Sequence, residues 1–453
     1  MTHACTRLGR AAVTATAVLI VPIAATAPTT GSAPPTGSAP PTTSAAPAAP
    51  AAPATWATPA TPAGPAASDP RPSPIPSFTL ISAPRPTATA RPDTTPRPDV
   101  THRIDEAVRR VMREAHVPGV TVGLWRPGER YVKSFGVADT STGQKMSPGL
   151  YTRIGSETKT FTVTALLQLV DRHEVDLDDP IGRYVDGVPN GNTITLRELA
   201  GMRSGLFNYS DDEDFFKALT SDPRRAFTPR QLLGYAFAHP VLFPPGERFS
   251  YCNTNLILLG LVVEKVTGRP LAGYLHDHVL VPAGLDRTLF PAGAEFPRPH
   301  PQGYTDQTAD GRVAGTADWN TSWAWAAGAM ISTLDDLRVW ARTVATGVFP
   351  DGAAMVAPAT QEQRLTTPPT TIPGAGYGLG IFDVQGWIGH NGSIPGYESL
   401  TIYLPGQDTT LVVLLNTDID HRGSEPSTLF GRAITEIVTP RHVFDLPAQP
   451  AAR

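Results

Sequence analysis

Ser156-Glu157-Thr158-Lys159 sets a hydroxyl and an amine three residues apart, directly before TFTVTALLQLV, a run with the apolar content and length of a buried helix. Three residues make about one helical turn, so Ser156 and Lys159 share a face. A serine near a helix start also lies among free backbone N–H groups and the positive end of the helix dipole, a setting that favours an oxyanion. A serine hydroxyl is a poor nucleophile until its proton is taken. A lysine can take it only if burial or a nearby cation lowers its pKa, and an apolar helix is a suitable setting. Of the five lysines in the chain, Lys159 alone has a serine three residues before it.

Two further groups complete an acyl-transfer set. Tyr251-Cys252-Asn253 lies between the turn FPPGERFS and the apolar run NLILLGLVVEKV. A tyrosine hydroxyl beside a lysine ammonium loses its proton more easily and can relay one between nucleophile and leaving group. Asn253 offers both a donor and an acceptor, enough to orient Lys159 and a substrate amide together. His390-Asn391-Gly392-Ser393 follows within WIGHNGSIPGYES, where small residues let a backbone approach a ligand. A strand edge there would donate the Ser393 N–H to an oxyanion, with the Ser156 N–H as its companion. His421-Arg422-Gly423 also matches His-x-Gly, but it lies in the polar turn DIDHRGSEP without strand context.

Ser-x-x-Lys, Tyr-x-Asn and His-x-Gly, in this order and at these separations, resemble the motifs of serine D-alanyl-D-alanine carboxypeptidases, class C β-lactamases and related esterases. The resemblance covers about residues 100–440 and extends to LDDPIGRYV, LRELAGMRSGL and AAGAMISTLDDLRVWA. It implies an α+β fold in which an antiparallel sheet of five or more strands, flanked by helices, stands beside an all-helical lobe with the site between them. It also implies the roles. Ser156 is acylated, Lys159 and Tyr251 move its proton, His390 supports Tyr251 electrostatically, and Asn253, His390, Asn391, Gly392 and Ser393 contact substrate. Neither metal nor cofactor is called for. Two departures stand out. Met202-Arg203 replaces the family's usual His-Thr pair. More important for the substrate, LTTPPTTIPGAGYGLGIFDVQGWIG holds no Lys or Arg, where family members that bind a terminal carboxylate place an arginine. D-Ala-D-Ala carboxypeptidase is therefore one expectation among several, beside esterase, β-lactamase and a non-catalytic penicillin-binding or sensor module. Arg203 and Arg422 are the candidate substitutes for the missing cation.

The elements that must position these groups are legible at both chain ends. Ile104, Ala107, Val108, Val111, Met112 and Ala115 recur at helical spacing, with Arg109, Arg110 and Glu114 opposite. VTVGLW and YVKSFGVAD follow as a hairpin about Pro127-Gly128. ESLTIYLP and TTLVVLLNT form another pair around Pro405-Gly406, before a final helix from Pro426 to Val438. A sheet drawn from both ends, with a helical middle segment as a second lobe, satisfies this order.

Composition sets the outer boundaries. Of 48 prolines, 20 fall between Pro28 and Pro98, amid Ala, Thr and Ser, so the folded enzyme is expected at 99–440 and a disordered linker at 28–98. Residues 1–27, two arginines followed by AAVTATAVLIVPIAATA, read as a secretory signal, and 441–453 as a C-terminal tail. No later run is long and apolar enough to span a bilayer, so a secreted product is expected, associated with the cell wall if the signal is retained. Cys5 would leave with the signal, so Cys252 has no intrachain partner in the mature chain. A net charge of −4 argues against nucleic acid and leaves small-molecule or peptide substrates, peptidoglycan stem peptides among them. His276-Asp277-His278 and His173–Asp176 read as helix and loop residues rather than metal ligands. Trp323, Trp325, Phe207 and Tyr209 are candidates to line the cleft.

Overall fold

A computed structural model describes residues 94–446. The expected signal and most of the proline-rich linker lie outside the described residues, as does the end of the tail. Order begins before Asp99: Thr94 N donates to the Gly128 carbonyl at 3.0 Å, and Arg130 N donates to that of Thr94 at 2.9 Å. It also continues past 440, because Phe444 is buried and Trp387 Nε1 donates to the His442 carbonyl at 2.7 Å. Both expected boundaries therefore fall inside folded chain, where backbone pairing and burial at either end hold segments that composition alone assigns to linker and tail.

The two ends meet in one antiparallel sheet. Strands β1 (Gly119–Arg126) and β2 (Glu129–Gly136) form the first hairpin. Near the other end come β3 (Ala375–Tyr377), β4 (Phe382–Val384), β5 (Trp387–Ile394), β6 (Tyr397–Leu404) and β7 (Thr409–Leu415). Their spatial order is β2-β1-β7-β6-β5-β4-β3, with β1 and β7 paired from Val120 opposite Leu415 to Trp125 opposite Thr410. Every residue of β6 and β7 is buried, so both faces of the sheet centre are covered.

One face carries α1 (Pro98–Glu114), which buries Ile104, Ala107, Val108 and Val111, and the final helix, Pro426–Val438. Gly431 lets that last helix sit close to the sheet, since a Cβ there would fall 2.5 Å from Leu400. The other face receives α2 (Thr158–Asp171) and a helix at Leu334–Thr346, locked by Phe161 stacked on Trp340 with ring centroids 3.9 Å apart. Beside α2 runs α3 (Asn253–Thr267), the second buried helix of the helical lobe. An α-helix that is apolar nearly all round needs neighbours on every side, and α2 and α3 supply one another's. Among the described residues no helix is long and apolar enough to cross a membrane.

Candidate active site

The nucleophile turn is pressed onto the edge of β5. Gly155, at φ +48°, opens a short 3-10 turn that runs into α2, and a Cβ there would lie 2.8 Å from Ser393 N. A Cβ on Gly392 would strike the Ile154 carbonyl at 2.0 Å, and Ser399 Oγ donates to that carbonyl at 3.1 Å. Residues Ile154–Ser156 and Gly392–Ser393 can approach this closely only because two of them lack side chains. β4 pairs with β5 only at Trp387–Gly389, so this stretch of β5 has a free edge. Ile394 and Tyr397 close a two-residue hairpin, and the alternation of an antiparallel ladder then turns the Ser393 N–H outward, toward Ser156.

Lys159 is fully buried. Its Nζ lies 2.9 Å from Ser156 Oγ and donates to the Ala327 carbonyl at 2.8 Å. Burial holds its pKa well below the usual lysine range, against only a small opposing pull from Cys252, and so favours the free amine. The threonines around it are satisfied: Thr162 Oγ1 donates to the Ala326 carbonyl at 2.8 Å and Met330 N donates to Thr158 Oγ1 at 3.1 Å. Thus the AAGAM segment is tied to α2 and brings the Ala327 carbonyl to the lysine. No side-chain pattern announces a backbone acceptor, which is why the sequence leaves this partner unseen.

Tyr251 precedes α3 on a loop that is docked by backbone hydrogen bonds from Gly246 N to the Arg203 carbonyl and from Ser250 N to that of Met202, both 2.8 Å. The stretch LRELAGMRSGL therefore positions Tyr251 through main-chain atoms, which the Met202-Arg203 departure leaves intact. Lys159 Nζ is 4.8 Å from the Tyr251 ring centroid, and the Ser156 hydroxyl is near enough to the phenol to pull its pKa down. The expectation that a lysine ammonium eases the Tyr251 proton off is corrected here. Burial pushes this phenol upward, the nearby Ser156 hydroxyl offsets it in part, and the charge of Glu425 pushes it further. With Lys159 favouring its free amine, no cation is at hand to reverse that shift. Asn253 also differs from expectation: its N–H donates to Asn208 Oδ1 at 2.9 Å and its Nδ2 to Ser210 Oγ at 3.1 Å, with no hydrogen bond to Lys159.

His390 is buried, and its ring centroid is 6.2 Å from that of Tyr251. Nδ1 donates to the Asn391 carbonyl at 2.5 Å, leaving Nε2 to accept from Tyr377 OH at 3.2 Å. Burial above all lowers its pKa to about 3, a charge on Lys159 adding to the shift whenever that amine is protonated, so a neutral imidazole stands beside Tyr251 rather than a cation. Tyr377, from GAGYGLG, was missed in the sequence because glycines hide the three-residue strand β3. Asn391 turns its amide to Glu425, another residue that sequence reasoning passed over.

Glu157, next to the nucleophile, is 1% exposed, with neither carboxyl oxygen in a hydrogen bond of good geometry. Burial pushes it up to about 8, the Ser399 and Thr401 hydroxyls pulling the other way. The missing substrate cation stays missing from the strand side. Arg364, one residue before the stretch without cations, is fully buried and donates to the Thr160 carbonyl at 2.8 Å. Arg203 donates to the Pro369 carbonyl at 3.1 Å, and Arg422 sits exposed in the turn after β7. Tyr209 donates to the Trp323 carbonyl at 2.8 Å, and Trp323 packs on Phe215, which ties both into the helical lobe. Trp325 packs on Gly260 of α3, and Phe207 stacks on His239. Asp277 is occupied by Arg269 and His276, and His278 stacks on Tyr274.

The folded region is similar to known proteins in sequence and in fold. A family model described as Beta-lactamase matches residues 104–430. The D-aminopeptidase of Brucella anthropi is 29% identical over 329 residues, which cover 69% of this chain and 59% of that protein. The chain spans about three fifths of the length of the curated relatives it matches. Among solved structures, a D-stereospecific amidohydrolase from Streptomyces sp. superposes with a TM-score of 0.64 at 29% identity, covering 70% of this chain and 94% of the other. A D-amino acid amidase from Ochrobactrum anthropi SV3, complexed with L-phenylalanine amide, superposes with a TM-score of 0.64 at 25% identity, covering 75% and 96%.

Proposed function

The chain belongs to the beta-lactamase family and is a serine hydrolase of that fold, and from this premise we propose that it is an exported acyl-transfer enzyme that hydrolyses amides or esters of D-amino acids. The observation that carries the reading is the fully buried Lys159 amine 2.9 Å from Ser156 Oγ. Ser156 Oγ attacks the substrate carbonyl while its proton passes to Lys159 Nζ. The oxygen of the tetrahedral adduct is held by the N–H groups of Ser156 and Ser393, a device whose single donors contribute ~3–4 kcal/mol. Tyr251 hands the proton from Lys159 to the leaving nitrogen or oxygen, and an ester on Ser156 remains. Water then attacks that ester, its proton passing along Tyr251 to Lys159 Nζ; Lys159 gives that proton to Ser156 Oγ as the C–Oγ bond breaks, which restores the serine hydroxyl and the free amine and releases the acid product.

The D-amino-acid choice draws on the names of the amidohydrolase, amidase and aminopeptidase relatives. It draws equally on the lack of Lys or Arg in the stretch that leads into β5, which disfavours a carboxypeptidase acting on a free terminal carboxylate. Export draws on the basic and apolar N-terminal run.

The test is hydrolysis of D- and L-alanine p-nitroanilides, with intact-protein mass spectrometry after incubation with a fluorescent penicillin and Ser156→Ala as control. Preferential turnover of the D-anilide, abolished with labelling in Ser156→Ala, is the expected result. Labelling that persists in Ser156→Ala removes the nucleophile assignment. A stable penicillin adduct without turnover replaces the enzyme by a sensor module.

A further inference from the structure

Tyr377 reaches His390 from β3 in a place closed to solvent. It is 1% exposed, and His390 Nε2, 3.2 Å from its hydroxyl, is the one hydrogen-bond partner of that hydroxyl among the described residues. A neutral imidazole carries one N–H donor and one acceptor nitrogen, whereas an imidazolium carries two donors. His390 Nδ1 faces the Asn391 carbonyl at 2.5 Å, and a carbonyl only accepts, so Nδ1 holds a proton. Nε2 faces a buried phenol that has no second partner, so the phenol donates and Nε2 accepts. A further proton on the ring would point at that O–H and leave it without an acceptor. Hydrogen bonding thus fixes both the tautomer and the charge of His390, and burial acts in the same direction.

The rings around this bond close on one another. Tyr377 stands edge-on to Tyr251 and to His390, with centroids 6.4 Å and 5.8 Å apart, and Phe249 and Phe382 pack on it at 5.5 Å and 4.6 Å. The charged and titratable groups around the imidazole are Lys159 from α2, Tyr251 before α3 and Tyr377 from β3. Arg364, on the helix Pro358–Leu365, adds its charge near Tyr377.

We propose that Tyr377 is a positioning residue of the proton relay: its hydroxyl locks His390 as the neutral Nδ1–H imidazole against Tyr251, so that no second cation forms beside Lys159. An imidazolium there would make Lys159 a weaker base toward Ser156 and would draw Tyr251 toward phenolate before the leaving atom takes its proton. With His390 held neutral, one proton moves among Ser156, Lys159 and Tyr251, and none is stored on the imidazole. This inference rests on the acyl-enzyme reading above.

Nitrogen NMR of protein carrying isotopically labelled histidine reads the tautomer directly, with the His390 signals assigned by their loss in His390→Leu. A neutral Nδ1–H ring from about pH 5 to about pH 9, across the ordinary histidine range, is the expected result. An Nε2–H tautomer or an imidazolium within that range overturns the inference. Kinetics on a D-alanine p-nitroanilide test the consequence. Tyr377→Phe is expected to lower kcat about tenfold or more, as displacement of an acid–base group does, with KM held within about twofold because the buried hydroxyl cannot touch substrate. In a His390→Leu background the same substitution should cost nothing further, since its effect passes through the imidazole. An unchanged kcat in Tyr377→Phe, or the same fractional loss in both backgrounds, reduces Tyr377 to packing and overturns the inference. Fluorophosphonate labelling of Ser156 checks that each variant is folded, and the wild-type NMR result decides by itself if Tyr377→Phe does not label. Failure of wild type to turn over the anilide overturns the acyl-enzyme reading instead, and the NMR result still judges the lock on His390.

Discussion

Two regions of the molecule bury ionisable groups of opposite sign. At the helix end, Lys159 is fully buried, with a backbone carbonyl and the Ser156 hydroxyl as its polar partners, and burial drives it toward the free amine. At the strand end, Glu425 accepts from Asn391 at 2.5 Å, and burial, against that hydrogen bond and with the charge of Asp420, pushes it up to about 7. Desolvation acts at both ends. It lowers the pKa of the lysine and so favours the free amine that a base needs, and it raises the pKa of the carboxyl, so that both groups are pushed toward their neutral forms. Burial thus acts on groups of opposite sign in one sense, toward neutrality, and the chemistry each can do follows from its neighbours.

The sharpest way to break this contrast is to remove the dry amine. Lys159→Ala is expected to lower kcat/KM for a D-alanine anilide by about 10²–10⁴-fold, the usual contribution of a general base. Lys159→Arg should fall as far, because a guanidinium keeps its proton. The sign of the pH dependence follows from the same burial. The base must be neutral, its pKa is lowered, and so activity should rise from acid pH and level off below the ordinary lysine range. Steady-state kinetics across pH would reveal an acid limb near ~10.4 if Lys159 were an ordinary exposed ammonium, and that outcome ends its assignment as base.

A smaller effect should come from the close approach that joins the two ends. Gly155→Ala sets a Cβ 2.8 Å from Ser393 N at φ +48°, so either the turn or the strand edge must shift. Displacement of the oxyanion donors by a fraction of an ångström should cost about 10–100-fold in kcat. Gly128→Ala is the control: φ is +75°, but nothing lies within 4 Å of the added Cβ. It should carry only the cost of positive φ, about 1 kcal/mol of stability, with kcat unchanged. Equal kinetic losses in the two variants would mean that backbone strain, not contact with Ser393, explains the effect.

Much of the frame was legible because it obeys simple periods. The final helix runs Pro426–Val438 as its sequence pattern indicates, and both terminal hairpins form on their Pro-Gly turns. The Ser156–Lys159 pair meets as one helical turn requires. What escaped was of three kinds. β3 and β4, three residues each, are too short to show alternation within a glycine-rich stretch. The Ala327 carbonyl belongs to the backbone and has no residue-type signature. Glu425 comes to Asn391 only through the packing of the last helix against the sheet, a contact between residues 34 apart that no local pattern encodes. The pKa shifts also escaped, since the sequence gives the neighbours of Tyr251 but not the depth that lowers the pKa of Lys159.

Glu157 extends the contrast to a group that does no chemistry. It sits beside the nucleophile with the depth of Lys159 but the sign of Glu425, and burial pushes its pKa from 4.5 up to about 8. Between those two values the unfolded chain releases a proton that the folded chain retains. The folded state therefore loses stability as pH climbs through this window, and the loss is complete above about 8. Glu157→Gln keeps the shape and has no proton to lose, so its melting temperature relative to wild type should rise from pH 5 to about pH 8 and then level off. A gain of at least about 2 °C at the alkaline end is expected, scaled from the usual relation between free energy and melting temperature for a domain of this size. Thermal melts of both proteins across that range check it. A difference that stays flat with pH would mean that the Ser399 and Thr401 hydroxyls solvate an ionised Glu157, and that complete burial beside Ser156 does not by itself abolish charge.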